Sequence, residues 1–118
     1  MFDLANKTCT ACRAGAPLAT EEEIKSFMPQ IPNWKIQEVE GENRLVRDFE
    51  FQGFATALSF TNKVGDLAES AGHHPAILTE WGQVKVSWWT HKIKGLHVND
   101  FIMAAKTDGL FSSMSKDR

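Results

Sequence analysis

The chain has 118 residues, of which 42% are hydrophobic and 24% charged, and 13 Lys+Arg against 15 Asp+Glu leave a net charge of −2 at pH 7. These values are typical of one soluble globular domain that is long enough to bury a core without disulfides or metal. They argue against general nucleic-acid binding, which needs a large basic surplus, and no apolar run is long enough to span a membrane.

Residues 1–17 carry small and turn-forming side chains and are predicted to form an irregular arm. They lack the basic-then-apolar order of a signal peptide, so we expect a cytoplasmic protein with reduced cysteines. Cys9 and Cys12 form a lone CxxC motif. A zinc site needs a second such pair and a thioredoxin-like motif follows a strand, so the sequence favours neither metal binding nor redox chemistry here.

A short helix is predicted to begin after Thr20. The Thr20 hydroxyl can accept a hydrogen bond at the helix start, and Glu23, three residues later, completes a capping box. Pro29 and Pro32 are expected to end this helix, because proline interrupts helical hydrogen bonding.

Two β-hairpins are predicted from residues that alternate between hydrophobic and polar. The first begins with a strand at Trp34, turns at 41–43 and continues with a strand at 45–51. The second lies between 77 and 90 and turns near Gly82.

Two further helices are predicted from hydrophobic residues that recur every three or four positions. The longer covers 53–71 and ends at Gly72, because glycine readily adopts the left-handed conformation of a helix C-terminus. The last covers 98–107 and is expected to end at Asp108-Gly109, which leaves residues 110–118 as a C-terminal tail that is polar from Ser112 onward.

The element order is therefore α-β-β-α-β-β-α within a single α+β domain. Because the strands come as adjacent hairpins, we expect a four-stranded antiparallel sheet with three helices packed on one face. A small sheet has two free edges, and a dimer interface is a common way to cover them.

The tryptophans of the second hairpin differ in their expected environments. Trp88 shares a strand face with Val84, so we assign it to the core. Trp89 faces the other way with His91 and could form the floor of a pocket for a flat ring. Trp81 fits either environment.

Three histidines lie at the ends of predicted elements: His73 and His74 follow the long helix, and His91 follows the second hairpin. Imidazole both gives and takes protons near neutral pH. The helix C-terminus and Glu69, one turn earlier, favour imidazolium at the first pair. Pro75 keeps His74 out of the helical conformation, so the adjacent rings can point in different directions. The pattern indicates a proton-handling cleft.

Two other interpretations of these histidines stay open on the residues alone. A histidine in a turn is often only a surface residue or a cap, as we expect for His97 before the last helix. Metal binding is the second alternative, because histidine is the commonest metal ligand. Adjacent histidines seldom bind one ion well, however, and no HExxH pattern accompanies them, so no metal site is predicted.

The chain carries a spaced set of residues: Glu69, the run His73-His74-Pro75, Trp81, His91 and Asp100. This set resembles the signature of the pterin-4a-carbinolamine dehydratases, and the similarity covers about residues 18–109, which we therefore take as a dehydratase-like core. The resemblance implies the α+β fold described above, assembled as a homodimer or a dimer of dimers.

The resemblance also implies a hydro-lyase that serves an aromatic amino acid hydroxylase. Its substrate is the carbinolamine that the hydroxylase leaves on tetrahydropterin, and its product is the quinonoid dihydropterin. The pterin is the substrate, so no cofactor is implied, and neither direct nucleic-acid binding nor a membrane is involved.

Carried over position by position, the resemblance makes His73, His74 and His91 the catalytic residues. We expect His73 and His91 to share the acid and base work and His74 chiefly to orient the pterin. The predicted substrate-binding residues are Glu69, Pro75, Trp89, Thr90 and Asp100. The place of Asp100 at a helix start fits a helix-stabilising role equally well.

The chain departs from the family pattern at four positions: Ala76, Trp81, Lys94 and His97. These fall at the expected pocket rim and helix cap, so they bear on substrate preference more than on the reaction. Animal members of the family also serve as a dimerisation cofactor for a homeodomain transcription factor. A dimerisation or regulatory partner acting on transcription or hydroxylase expression is therefore the alternative function, and metal-dependent hydrolysis is a weaker third.

Overall fold

The computed structural model describes residues 18–116. The helices are α1 (Glu21–Phe27), α2 (Phe54–Ala71) and α3 (Val98–Lys116), and the strands are β1 (Lys35–Val39), β2 (Glu42–Glu50), β3 (Ala76–Glu80) and β4 (Gln83–Trp88). Short 3-10 turns lie at Met28–Gln30 and His91–Ile93. The predicted α+β class and the order α-β-β-α-β-β-α are confirmed.

The four strands form one antiparallel sheet in the order β1-β2-β4-β3. In the central pair, Leu45 lies opposite Trp88 and Phe49 opposite Val84, so large apolar side chains share the face that the helices cover. All four are fully or almost fully buried. The predicted placement of Trp88 in the core is confirmed. The prediction succeeded because hydrophobic and polar residues alternate along a strand that has one face against the helices.

The start of α1 is the predicted capping box. The Thr20 hydroxyl accepts a hydrogen bond from the Glu23 backbone N–H at 3.1 Å, and a Glu23 carboxylate oxygen accepts one from the Thr20 N–H at 2.9 Å. The helix ends at Phe27, and a 3-10 turn that contains Pro29 follows it. Both ends of this helix are thus determined by residues in or directly beside it.

The first hairpin differs from the prediction in the position of its turn. The turn consists of Glu40 and Gly41, both with positive φ (53° and 83°), and β2 begins at Glu42 rather than at residue 45. A two-residue loop with both residues left-handed matches the twist of the paired strands. The predicted turn at 41–43 was wrong because Gly41 is the second residue of the loop, not the first.

The predicted long helix is confirmed as α2. It ends at Gly72, whose φ of 66° places it in the left-handed region and whose N–H reaches the carbonyls of Ala68 and Glu69. This cap turns the chain sharply out of the helix, so that the next residues leave α2 at the edge of the sheet.

The predicted end of α3 was wrong. The segment predicted as a tail belongs to this helix as far as residue 116. The helix continues through Gly109 to Lys116. Phe111 packs against Phe49 with ring centroids 5.1 Å apart, and Met114 packs against the core. A glycine inside a helix costs about 1 kcal/mol, which burial of such side chains offsets. Residues 117 and 118 lie outside the described part of the chain.

Asp108 holds this continued helix to the sheet. Trp34 donates from Nε1 to Asp108 Oδ1 at 2.8 Å, and Arg47 donates from Nη1 to the same oxygen at 2.5 Å. Burial raises the pKa of the Asp108 carboxyl above its ordinary value of 3.8, an effect that outweighs the opposing influence of Trp34 and Arg47.

We expect stability to depend on pH through Asp108. Because its pKa is raised in the folded state, its stabilising contribution is full below the unfolded-state pKa and is lost as the pH rises through the folded-state pKa. Asp108→Asn does not titrate there, so the wild type should lose stability relative to this variant as the pH rises from about 3 to about 7. Parallel urea unfolding of both proteins measures the difference; a relative gain for the wild type would contradict the assignment.

Three further predictions concern the N-terminal arm, Trp81 and membrane-spanning segments. The arm at 1–17, with Cys9 and Cys12, lies outside the described residues. Trp81 belongs neither to the core nor to a pocket wall, because it lies in the β3–β4 turn and is 75% exposed. Within residues 18–116, no helix is both long and apolar enough to cross a membrane.

Candidate active site

Three histidines from two separate parts of the sequence line a single cavity of about 160 Å³. His73 and His74 follow the cap of α2, and His91 follows β4. The register explains why they meet: Ala76 at the start of β3 lies opposite Ser87 near the end of β4. In an antiparallel pair, the segment entering one strand and the segment leaving the other lie side by side. The remaining lining residues are Gly72, Thr90 and Lys92.

His73 is the buried member of the group, with 6% of its surface exposed. Its Nε2 lies 2.6 Å from Oδ1 of Asp100, which is completely buried. A carboxylate only accepts hydrogen bonds, so Nε2 carries the proton and the ring tautomer is fixed. The ring also stacks on Trp88, 5.7 Å between centroids and nearly parallel at 4°. His73 is therefore held in position on two sides.

Asp100 joins the cavity to the start of α3. Its Oδ2 accepts hydrogen bonds from the Thr90 hydroxyl at 2.8 Å and from the His97 backbone N–H at 2.9 Å. His97 in turn accepts from the Asn99 N–H through Nδ1 at 3.1 Å, which caps the first turn. The helix-stabilising alternative for Asp100 is thus present in the structure, and the same carboxylate also holds His73.

His74 lies at the open side of the cavity. Its Nε2 is 2.5 Å from Oε1 of Glu69, and both side chains are largely exposed, at 59% and 80%. An exposed pair of this kind contributes little to stability. Its effect is local: the last turn of α2 supplies an acid that orients the ring of His74.

His91 begins the 3-10 turn that follows β4. Its ring lies 4.3 Å from the Trp89 ring, centroid to centroid, with the planes tilted by 38°. Trp89 is 7% exposed and carries the Arg44 guanidinium over its ring at 3.8 Å. Sequence reasoning did not find Arg44, because only the strand register shows that β2 brings it beside Trp89.

The structure separates the predicted site residues into two groups. The cavity wall contains His73, His74, His91 and Thr90. The other predicted substrate-binding residues are not among those that line it: Glu69, Pro75, Trp89 and Asp100. Glu69, Trp89 and Asp100 each contact a histidine that lines the cavity. Direct contact of all four residues with a substrate stays a prediction. Gly72 and Lys92 line the cavity without having been predicted; adjacency to His73 and His91 was the available signal.

Within residues 18–116, no group of three or more His, Cys, Asp or Glu side chains is arranged to hold a metal ion. The arrangement offers instead two imidazoles with carboxylate partners and a third against an aromatic ring. Such a set can donate and accept protons around one bound molecule.

Comparison with known proteins identifies the family. The family model for pterin 4 alpha carbinolamine dehydratase matches residues 17–110, and this covers most of the chain. The chain belongs to this dehydratase family. The resemblance inferred from the histidine signature is thereby confirmed, and with it membership in a family of hydro-lyases.

Two curated relatives support this membership in the dehydratase family. Both are named "Putative pterin-4-alpha-carbinolamine dehydratase". The protein of Syntrophotalea carbinolica is 64% identical over 110 residues, covering 93% of this chain and 98% of its own length. The protein of Nitrosococcus oceani is 63% identical over 110 residues, covering 93% and 97%.

The fold of this dehydratase-family chain is also found in a solved structure. A transcriptional coactivator/pterin dehydratase from Brucella melitensis superposes with a TM-score of 0.70 at 30% sequence identity. The match covers 80% of this chain and 98% of the Brucella protein. The likeness therefore extends over almost the whole of that protein.

Proposed function

We propose that this protein dehydrates a 4a-hydroxytetrahydropterin to the quinonoid dihydropterin and water. One observation carries the proposal: three histidines that are distant in the sequence line one cavity in a member of the dehydratase family. As part of the proposal, the protein acts in the cytoplasm as a homodimer or dimer of dimers and recycles the pterin of an aromatic amino acid hydroxylase.

The reaction needs one proton delivered and one removed. The bond between ring carbon 4a and its hydroxyl oxygen breaks as a proton reaches that oxygen, and water leaves. A second proton is taken from the neighbouring ring nitrogen, which forms the new double bond. In our proposal His73 and His91 perform these two transfers as general acid and base. No cofactor enters the balance.

The other cavity residues would position the pterin. His74, oriented by Glu69, is placed at the open side, where it can hold the ring of an entering substrate. The Thr90 hydroxyl donates to Asp100, so its oxygen retains accepting capacity toward a ring N–H. Because interacting imidazoles titrate as a set, the acid and base roles belong to the group of histidines.

A direct assay tests this function. A hydroxylase that turns over with a tetrahydropterin releases the carbinolamine, whose decay to the quinonoid product is followed by absorbance. Addition of this protein should accelerate that decay by about 10²-fold or more, in proportion to protein concentration. Decay at the spontaneous rate, even with protein equimolar to the pterin, would contradict the proposal.

A regulatory function is the second candidate, because the Brucella melitensis protein is described as a transcriptional coactivator as well as a pterin dehydratase. Binding to a partner would use surfaces outside the cavity. A partner whose affinity is unchanged when His73, His74 and His91 are all replaced by alanine would support this role, and the two functions can coexist.

A further inference from the structure

The three cavity histidines are oriented by different kinds of contact. His73 is bonded to Asp100, and His74 is bonded to Glu69. Among the described residues, the ring of His91 has no acid partner, and it packs against the Trp89 ring with centroids 4.3 Å apart. His91 is exposed at the start of a short turn, so its orientation depends on that packing.

Trp89 is itself in contact with Arg44. The Arg44 guanidinium carbon lies 3.8 Å from the centre of the Trp89 ring. Arg44 precedes Leu45 in β2 and Trp89 directly follows the end of β4, and Leu45 and Trp88 lie opposite each other in the paired strands. Guanidinium groups bind the electron-rich face of tryptophan more strongly than that of other rings.

Arg44 has a buried side-chain nitrogen that makes no hydrogen bond within residues 18–116, which is energetically unfavourable. Its Nε is buried, and among the described residues it has no hydrogen-bond partner. Buried polar atoms without partners are uncommon in folded proteins, and each needs a compensating contact. The compensation available to Arg44 is the ring of Trp89.

We propose that Arg44 and Trp89 are positioning residues that set the orientation of the His91 ring for proton transfer. The proposal rests on the dehydratase function above. The Trp89 ring contacts both a guanidinium and an imidazole, so a rotation of the ring would disturb both contacts. His91 then meets a fixed surface, as His73 meets a fixed carboxylate.

The expected consequence is a loss in turnover rather than in substrate binding. Misplacement of a reacting group by about 1 Å can cost as much as 10²-fold in rate. We expect Trp89→Ala to lower kcat by about tenfold and Arg44→Met to lower it by a few-fold, with KM little changed. Trp89→Phe and Arg44→Lys keep the ring and the charge, respectively, and should restore part of the loss.

The control is Lys85→Met, which makes a comparable change within β4. Lys85 precedes Trp89 by four residues, about 13 Å along a strand, so it lies outside the Arg44–Trp89–His91 stack. Lys85→Met should leave kcat and KM unchanged. Melting temperatures of all five variants separate loss of positioning from loss of folding.

A second measurement does not depend on activity. The ring-proton resonances of His91 in the free protein respond to the Trp89 ring beside them, and His91→Gln assigns them. They should move in Trp89→Ala and, by a smaller amount in the same direction, in Arg44→Met, but not in Lys85→Met. Unmoved resonances in folded Arg44→Met, which keeps the Trp89 ring, would overturn the proposal.

The outcomes distinguish this inference from the function on which it rests. An inactive wild type refutes the dehydratase function, whatever the resonances show. With an active wild type, a fall in kcat together with moved His91 resonances supports the positioning role. An active wild type whose folded Arg44→Met and Trp89→Ala variants keep full kcat overturns that role.

Discussion

Replacing His73 and His91 together by alanine should reduce the decay of the carbinolamine to its spontaneous rate. Each transfer by a positioned side chain contributes about 10²–10⁴-fold, and the two histidines are assigned both transfers. His74→Ala leaves these two rings in place, so it should raise KM more than it lowers kcat. The coupled hydroxylase assay measures all three proteins under one set of conditions.

Folding must be shown for the double variant, because His73 is buried against Asp100 and Trp88. Near-ultraviolet circular dichroism and thermal unfolding give that check. Lys25→Ala, on the exposed surface of α1, is the matched control and should keep wild-type turnover. Unchanged turnover in a folded His73→Ala/His91→Ala protein would discard the histidine mechanism.

Features governed by neighbouring residues were predicted well. Thr20 and Glu23 interact across three residues, and their capping box was found as expected. Gly72 ends α2 in the left-handed conformation for a reason contained in glycine itself. The alternating apolar residues of β4 likewise showed which face is buried.

Features governed by distant contacts were predicted poorly. The end of α3 depends on Asp108, whose partners Trp34 and Arg47 lie 74 and 61 residues away. Locally, Asp108-Gly109 is typical of a helix end, and only the tertiary contacts reverse that preference. The same limit applies to Arg44, whose contact with Trp89 depends on the pairing of β2 with β4.

The candidate site was predicted in part. Periodicity placed the histidines at the ends of elements but left surface and metal alternatives open. The family resemblance, rather than the spacing, brought His91 to His73 and His74. The structure supplies the geometric reason, since the start of β3 pairs with the end of β4. It also shows that Asp100 supports the cavity from behind rather than lining it.

Asp100→Asn should separate the catalytic use of this residue from its structural use. The carboxylate accepts from His73 and Thr90 side chains and from the His97 backbone. An asparagine keeps the shape but presents an NH₂ group to at least one of these donors. If that group meets His73, the imidazole must adopt its other tautomer, and turnover should fall by about 10²-fold or more.

Asp100→Ala should have a larger effect on stability than Asp100→Asn. It removes the acceptor of all three donors and leaves them buried, which should cost about 3–5 kcal/mol in the free energy of unfolding. Urea unfolding and the coupled assay measure the two effects on the same preparations, with exposed Asp66→Asn as the control. Full turnover in Asp100→Asn would mean that His73 needs no carboxylate partner. Wild-type stability in Asp100→Ala would mean that the first turn of α3 does not depend on Asp100.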